Sequence, residues 1–379
     1  MFRVFRITAY SLAFFVIAPT MAQGQTALDA NLAYQGVKSN PVTYQVDLSA
    51  VVTPPYKCKV LKIWMPIPPT DTIQEVTNSK LSAFPMNVDA KLGTEPLYGN
   101  RFAYFEFRNP QGAQMVRHQF TVTTHEVRWN IDAARVTPVA KWPASFEPFL
   151  RSEELIPLNE RFAKVAASIV AEKTNASQDL NKVFAWVQNT LKYSHVECSL
   201  QASAVHALDK KVGHCSDYHG LCTALGRNLG YPTRMTYGIN PTPKPSPSHC
   251  KMEAFIPPYG WFSFDVSETQ LMIGKIAKEE TLDEAAKKKL IARATDRFLA
   301  GFRDNTWFLQ TRGSGYDLEP PAKNKVGVVR TIYAEADGVA YPEPDPANPE
   351  MRAFSWMTMH QYEANRKVTN PFHDWRSLE

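Results

Sequence analysis

Cysteine is scarce in this chain, with five residues among 379. So few cysteines exclude a small scaffold built on disulfides, and their odd number predicts at least one free thiol in an oxidising compartment. There is no Cys-x-x-Cys-His haem site and no paired Cys-x-x-Cys zinc ribbon. We therefore expect no cofactor and no bound metal. One or two disulfides are expected at most, and their pairing stays open among Cys58, Cys198, Cys222 and Cys250.

Long runs of basic residues are also absent. The formal net charge is +5, and the lysines and arginines are spread along the chain. Such a mild, dispersed charge gives no reason to expect nucleic acid as a partner. Beyond the first residues, no uncharged apolar stretch approaches the ~20 residues that a membrane helix needs.

Residues 1–22 have the three-part layout of a cleavable secretory signal. A short basic stretch with Arg3 and Arg6 precedes an apolar run from Tyr10 to Ala18, and small residues follow up to Ala22. An uncleaved signal anchor and an ordinary N-terminal helix are the alternatives. We expect cleavage, a periplasmic or secreted protein, and no stable membrane span afterwards.

The rest of the chain divides by its hydrophobic pattern. Residues 40–130 alternate between apolar and polar positions, which predicts antiparallel strands and an N-terminal β-sandwich domain. Residues 131–156 are irregular and rich in proline, which is typical of a linker. From 157 to 340 helical periodicity gives way to strands, which predicts an α+β domain. Residues 341–379 form a C-terminal extension to which the sequence assigns no role.

A cysteine stands where a helix is predicted to begin. Cys215 follows Gly213-His214, and an amphipathic helix is predicted from Cys215 to Leu229, with Gly230 at its C-terminal stop. The unpaired N–H groups and the positive dipole end of a helix N-terminus favour a thiolate over a thiol. The same N–H groups can bind the oxyanion that forms when a thiolate adds to a carbonyl.

Two further residues complete the chemistry that a thiolate nucleophile needs. His249 begins one predicted strand and can exchange a proton near neutral pH. Asp265 ends the next strand and can hold the imidazole in one tautomer. Because consecutive antiparallel strands bring the start of one beside the end of the other, we expect His249 and Asp265 to be neighbours.

The blocks around these residues resemble the transglutaminase-like superfamily, and in particular its bacterial secreted members with an N-terminal β domain. The resemblance covers most of residues 40–340. It implies a papain-like core in which the nucleophile helix packs on an antiparallel sheet, with Cys215 as nucleophile, His249 as base and Asp265 as orienting residue. The matching blocks are Gly213-x-Cys215-x-Asp217-Tyr218, Leu225-Gly226-Arg227, Leu229-Gly230-Tyr231-Pro232-Thr233-Arg234, His249-x-x-x-Glu253 and Gly260-Trp261-x-x-x-Asp265.

The chain departs from the family pattern at two places. The family often has His-Ala-Trp at the base, whereas this chain has His249-Cys250-Lys251. The family's additional oxyanion donor has no firm counterpart, and Trp186 and Tyr193 are candidates.

Two functions follow as hypotheses. The first is a cysteine enzyme that cleaves or transfers amide bonds of a protein or peptide, including those of the cell envelope, through a Cys215 thioester. Water as acceptor would make it a peptidase or amidase, and an amine would make it a cross-linking transglutaminase. The second is a non-catalytic cell-envelope binding or assembly module that retains the fold.

Overall fold

The computed structural model describes residues 28–241, 247–323, 325–342 and 356–379. The predicted secretory signal and most of the proline-rich loop before His249 lie outside these residues. The described part has a mixed α+β fold, as the sequence predicts. The strands and helices are β1 Val37–Val52, β2 Val60–Ile67, β3 Gln74–Phe84, β4 Lys91–Thr94, β5 Arg101–Arg108, β6 Gln114–Arg128, α1 Glu160–Ile169, α2 Ala176–Thr190, β7 Lys192–Tyr193, α3 Ala204–Lys210, β8 Val212–Gly213, α4 Cys215–Asn228, β9 Thr233–Ile239, β10 Ser248–Ile256, β11 Gly260–Phe264, α5 Val266–Lys278, α6 Glu284–Leu299, β12 Phe302–Arg303, β13 Phe308–Arg312, β14 Tyr333–Ala336, β15 Val339–Ala340 and β16 Trp356–Ala364.

The N-terminal strands form two antiparallel sheets. One has the order β12-β6-β1-β16, with β3 also paired to β6, and the other has the order β15-β14-β2-β5-β4. A shared apolar core joins them, since Val52 and Val116 of the first sheet pack with Ile63 and Phe105 of the second. The period-two pattern of β1 and β6 therefore reflects one buried face, whereas β2 and β5 are buried on both faces.

Strands from distant parts of the sequence complete these sheets. β16 pairs with β1, from Tyr44 opposite Ala364 to Val52 opposite Trp356, and β14 pairs with β2. The C-terminal extension thus supplies an edge strand to the N-terminal sheet. The predicted domain limits at 40–130, 131–156, 157–340 and 341–379 stay a prediction.

A third antiparallel sheet, of order β11-β10-β9-β13, carries the helices of the core. Helix α4 packs on this sheet and is buried over nearly its whole length, from Cys215 to Arg227. Cys222 is fully buried, as expected of a core residue. Helix α4 ends as predicted, because Gly230 adopts φ 82° and stops the helix in the left-handed region.

The sequence also predicts Ser177 as a helix cap, Thr281-Leu-Asp-Glu284 as a capping box and a strand from Trp261 to Val266. The structure differs at all three places. Asn175, and not Ser177, caps α2, because its side chain accepts from the N–H of Gln178 at 3.0 Å. Asp283, and not Thr281, caps α6. Residue Val266, expected at the end of a strand, is the first residue of helix α5.

In the part of the chain that the structure describes, no helix is both long enough and apolar enough to cross a membrane.

Candidate active site

Cys215 is the first residue of α4, so it lies where the helix leaves its N–H groups unpaired. The carboxylate of Asp217 accepts from the N–H of His214 at 3.1 Å and closes the cap. Gly213 permits this close approach, because a Cβ there would lie 2.5 Å from the Cβ of Asp217. Only 8% of Cys215 is exposed. Its sulfur is therefore held at a helix N-terminus and largely shielded from water.

His249 and Asp265 are neighbours, as the strand geometry predicts. Strands β10 and β11 pair with Met252 opposite Phe264, which places position 265 opposite Lys251 and diagonal to His249. Nε2 of His249 donates to Oδ2 of Asp265 at 2.7 Å. This bond leaves Nδ1 as the ring nitrogen available to Cys215.

Lys251 forms part of the same buried network, and the sequence analysis missed it. Its Nζ donates to Asp265 at 2.6 Å and to Asp304 at 2.8 Å, and only 1% of the side chain is exposed. The alternation of side chains along a strand could have indicated it, because Lys251 lies on the same strand face as His249 and opposite Asp265. A cation thus replaces the aromatic residue that the family often has here.

The electrostatics of the site favour a thiolate and an imidazolium. A hydrogen bond from Cys250 and the adjacent His249 hold the pKa of Cys215 well below its usual value, and they outweigh the opposing effect of burial. Burial lowers the pKa of His249, but the charges of Asp265 and Cys215 raise it to about 10. For the carboxyl group of Asp265 burial acts in the opposite direction and raises the pKa. The charges of Lys251 and then His249 outweigh burial and hold this pKa well below its usual value.

Two buried residues next to the nucleophile were not singled out from the sequence as site residues. Cys250 is 2% exposed, and its Sγ lies 3.5 Å from Nδ1 of His219. His219 is fully buried, and its Nε2 accepts from the N–H of Val266 at 3.0 Å. His219 lies one helical turn after Cys215, and this i, i+4 spacing places both side chains on one face of α4.

Tyr193 is close enough to the nucleophile for their charges to interact. Burial raises the pKa of its hydroxyl, and a negative charge on Cys215 raises it further, so the hydroxyl keeps its proton. Tyr193 also lines an open groove of ≈ 1070 Å³ together with Gln270, Lys275 and His373. Trp186, the other candidate oxyanion donor, instead lies under the ammonium of Lys211, 5.1 Å from its ring centroid.

One group of side chains has the chemistry of metal ligands. The ligand atoms of Cys198, His214 and Asp217 all lie within 4.8 Å of one another. However, Asp217 already accepts from the N–H of His214 and from the N–H and hydroxyl of Ser199. A guanidinium nitrogen of Arg330 also lies 3.3 Å from Nε2 of His214. We therefore assign this cluster to holding the 194–203 segment against the start of α4.

All five cysteines are free thiols. The expected one or two disulfides are absent: Cys58, Cys222 and Cys250 are buried, and Cys198 is partly buried with its Sγ donating to the carbonyl of His195. The thiol chemistry of the described chain is therefore concentrated at Cys215 and Cys250.

Comparison with known proteins finds a family match over part of the chain. Residues 163–266, which include Cys215, His249 and Asp265, match the Transglutaminase-like superfamily core. A solved structure named "a putative cysteine protease", from Cytophaga hutchinsonii, shares the fold with a TM-score of 0.58 and 17% identity, over 90% of this chain and 97% of that one.

More distant likenesses are found among other solved structures. The periplasmic domain of TgpA from Pseudomonas aeruginosa aligns with a TM-score of 0.33 and 12% identity, over 62% of this chain and 91% of that one. No curated protein sequence matches the chain. Residues 163–266 thus form a core of the transglutaminase-like superfamily within a mixed α+β chain.

Proposed function

We propose that this chain is an exported cysteine-dependent enzyme that acts on amide or peptide bonds through a thioester at Cys215. The observation that carries the proposal is one continuous arrangement. Cys215 begins a helix and interacts electrostatically with His249, whose imidazole donates at 2.7 Å to a buried carboxylate. This combination supplies a nucleophile, a proton carrier and a group that orients the carrier.

In the first half of the reaction the Cys215 thiolate attacks the carbonyl carbon of the amide, and the carbonyl π electrons move onto oxygen. The N–H groups at the start of α4 and the protonated hydroxyl of Tyr193 stabilise that oxyanion. When the oxyanion collapses, the C–N bond breaks. His249 gives its proton to the leaving amine, and the acyl group stays on sulfur as a thioester.

In the second half an acceptor attacks the thioester, His249 takes the acceptor's proton, and Cys215 is released. Water gives hydrolysis and an amine gives a cross-link. We favour hydrolysis, since the Cytophaga hutchinsonii protein of the same fold is named for cysteine protease activity. The substrate in this proposal is a protein or peptide, including those of the cell envelope, and no metal or cofactor takes part.

A non-catalytic binding module is the second candidate, favoured by one observation. Cys250 is buried directly after the proposed base, and an oxidisable thiol at this position is a departure from the family pattern. Thiol reactivity separates the two candidates, because a binding module has no need of a thiolate.

Alkylation by iodoacetamide between about pH 5 and about pH 9 tests the proposed nucleophile. We expect Cys215 to be labelled well below the ~8.5 at which a free thiol ionises, because the ion pair with His249 stabilises the thiolate. His249→Ala should move the midpoint towards higher pH. Equal, slow labelling of every accessible cysteine would favour the binding module instead.

A substrate search follows from the same proposal. Wild type and Cys215→Ala are incubated with cell-envelope peptides, with and without an amine donor, and the products are weighed by mass spectrometry. Hydrolysis predicts fragments that form only with wild type, and cross-linking predicts an added amine. Identical spectra from both proteins would contradict the proposed enzyme.

A further inference from the structure

The open groove of ≈ 1070 Å³ that Tyr193 lines meets the candidate active site at two places. At the first, Tyr193 belongs to β7 and pairs with β8, the strand that ends two residues before Cys215. At the second, His373 lines the groove, and its Nε2 lies 3.2 Å from a carboxylate oxygen of the buried Glu268. The N–H of Glu268 in turn donates to Asp265 at 3.0 Å. The groove therefore borders both the nucleophile and the carboxylate that orients the base.

Helix α5 and residues 372–376 of the C-terminal extension line most of this groove. Helix α5 begins directly after the carboxylate that orients the base, and its Gln270 donates to the carbonyl of Leu191 at 2.9 Å. In the C-terminal extension Phe372 is buried, with its ring centroid 5.0 Å from Nζ of Lys251. Because buried contacts hold both elements, the groove is preformed, as most ligand clefts are.

Two exposed lysines line the groove near Tyr193. Lys192 directly precedes Tyr193 in β7. Lys275 lies on α5 five residues after Gln270, a rise of about 7.5 Å along the helix. Their ammonium groups are therefore accessible to a ligand that lies in the groove beside the nucleophile.

The acidic residues that line the groove are either paired or further from the nucleophile. Asp374 pairs with Arg376, with N and O atoms 3.3 Å apart. Glu279 and Glu280 come only after α5 has ended, about 14 Å along its axis from Gln270. The part of the groove next to the nucleophile is therefore positive. A cleft lined by charge of one sign concentrates ligands of the opposite sign.

We propose that this groove binds the peptide substrate and selects one with carboxylate side chains, which Lys192 and Lys275 hold within about three residues of the reacting carbonyl. The inference rests on the proposed function, because it assigns a substrate class to that site. An extended peptide advances about 3.3 Å per residue, so the ~7.5 Å rise from Gln270 to Lys275 corresponds to two or three residues. Lys275 in the last turn of α5 also interacts favourably with the helix dipole, a structural role that no choice of peptide affects.

Two alkylating peptides of equal length test this assignment, chloroacetyl-Gly-Glu-Glu-amide and chloroacetyl-Gly-Gln-Gln-amide. In each case the thiolate displaces chloride and forms a thioether, and mass spectrometry follows the rate of modification at Cys215. Since two exposed ion pairs are involved, we expect the glutamate peptide to react about fivefold faster with the wild type at low salt. This advantage should shrink at high salt and vanish when Lys192→Gln is combined with Lys275→Gln.

Lys288→Gln combined with Lys289→Gln is the matched control, because both are exposed lysines of α6 that do not line the groove. This control removes the same net charge and should keep the advantage of the glutamate peptide. Iodoacetamide, which is small and neutral, should modify Cys215 at the same rate in all three proteins. Lys275→Glu should weaken the preference for glutamate and speed the reaction of chloroacetyl-Gly-Lys-Lys-amide.

A wild type that reacts with the glutamate peptide no faster than with the glutamine peptide would overturn the inference. So would an advantage that survives in the variant without Lys192 and Lys275. The same series separates this inference from the proposed function. If the iodoacetamide midpoint of wild-type Cys215 lies near that of a free thiol, the proposed function fails. If the midpoint is low but the peptides react equally, only the substrate class fails.

Discussion

Replacement of Cys215 by alanine should lower the rate of amide turnover by about 10⁴-fold or more, because no thioester can form without the sulfur. What remains is the weak catalysis that the oxyanion site gives to direct attack by water. The initial rate is measured on a peptide that the wild type processes, under conditions in which both proteins are folded. His249→Ala should cause a loss of similar size, since the two residues act as a unit.

Cys222→Ala is the matched control for this prediction. Cys222 lies on the same helix, is fully buried and has a pKa raised by burial, so it is not a nucleophile. Its loss should affect stability and leave the rate per folded molecule nearly unchanged. Turnover by Cys215→Ala within about tenfold of wild type would show that the thioester route is wrong.

The activity should also report the charge state of His249. Its pKa is raised to about 10 in the folded protein, so the imidazolium is present below that pH and is lost as the pH rises through it. The leaving amine requires the proton of the imidazolium. We therefore expect the acylation rate to persist through neutral pH and to fall on the alkaline side near the pKa of His249.

The placement of Cys215, His249 and Asp265 was predictable because it depends on local sequence. The start of α4 follows from a glycine turn before an amphipathic run, and the meeting of His249 and Asp265 follows from one hairpin, β10 and β11. Both features, the start of α4 and the meeting of His249 with Asp265, are therefore determined by residues close together in the sequence. The pairing of β16 with β1 joins residues more than three hundred positions apart, as in Tyr44 opposite Ala364, and no local periodicity specifies such a pair.

Helix α5 was missed for a different reason. Asp265 directly follows strand β11 and its Oδ2 accepts from His249, but its Oδ1 also accepts from the N–H of Glu268 at 3.0 Å and so caps the helix. The spacing of Asp265 and Glu268 is a helix-start pattern, yet one residue has both roles, and the strand was extended through Val266. Cys250 and His219 were missed because their importance depends on which faces of β10 and α4 meet.

Replacement of Lys251 by methionine should reduce the free energy of unfolding by about 3–5 kcal/mol, although methionine fills a similar volume. The ammonium is buried between two carboxylates, at 2.6 Å from Asp265 and 2.8 Å from Asp304, and all three side chains are at most 2% exposed. Without the cation both buried carboxylates remain in a site that water cannot reach. Urea unfolding, compared at equal slope, measures the loss.

Lys164→Met is the control, because Lys164 pairs with Glu160 at 2.7 Å while both side chains are largely exposed. An exposed pair of this kind contributes at most about 1 kcal/mol. A second variant, Lys251→Met with Asp304→Asn, removes the carboxylate whose ion pair was with Lys251, while Asp265 keeps its contact with His249, and it should recover part of the stability. A loss below about 1 kcal/mol for Lys251→Met would mean that the buried cation is not required by its carboxylates.

The stability lost in Lys251→Met should depend on pH, because the interaction of Lys251 with Asp265 and Asp304 requires both carboxyl groups to be ionised. In the wild type Lys251 holds the pKa values of Asp265 and Asp304 below their usual range. A lowered carboxyl pKa stabilises the folded state above the unfolded value of ~3.9, and the contribution disappears as the pH falls through the folded value. Lys251→Met should therefore be most destabilised relative to wild type near neutral pH. Below about pH 4 the difference should shrink, because in the variant both carboxyl groups can take up protons and no longer need a cation.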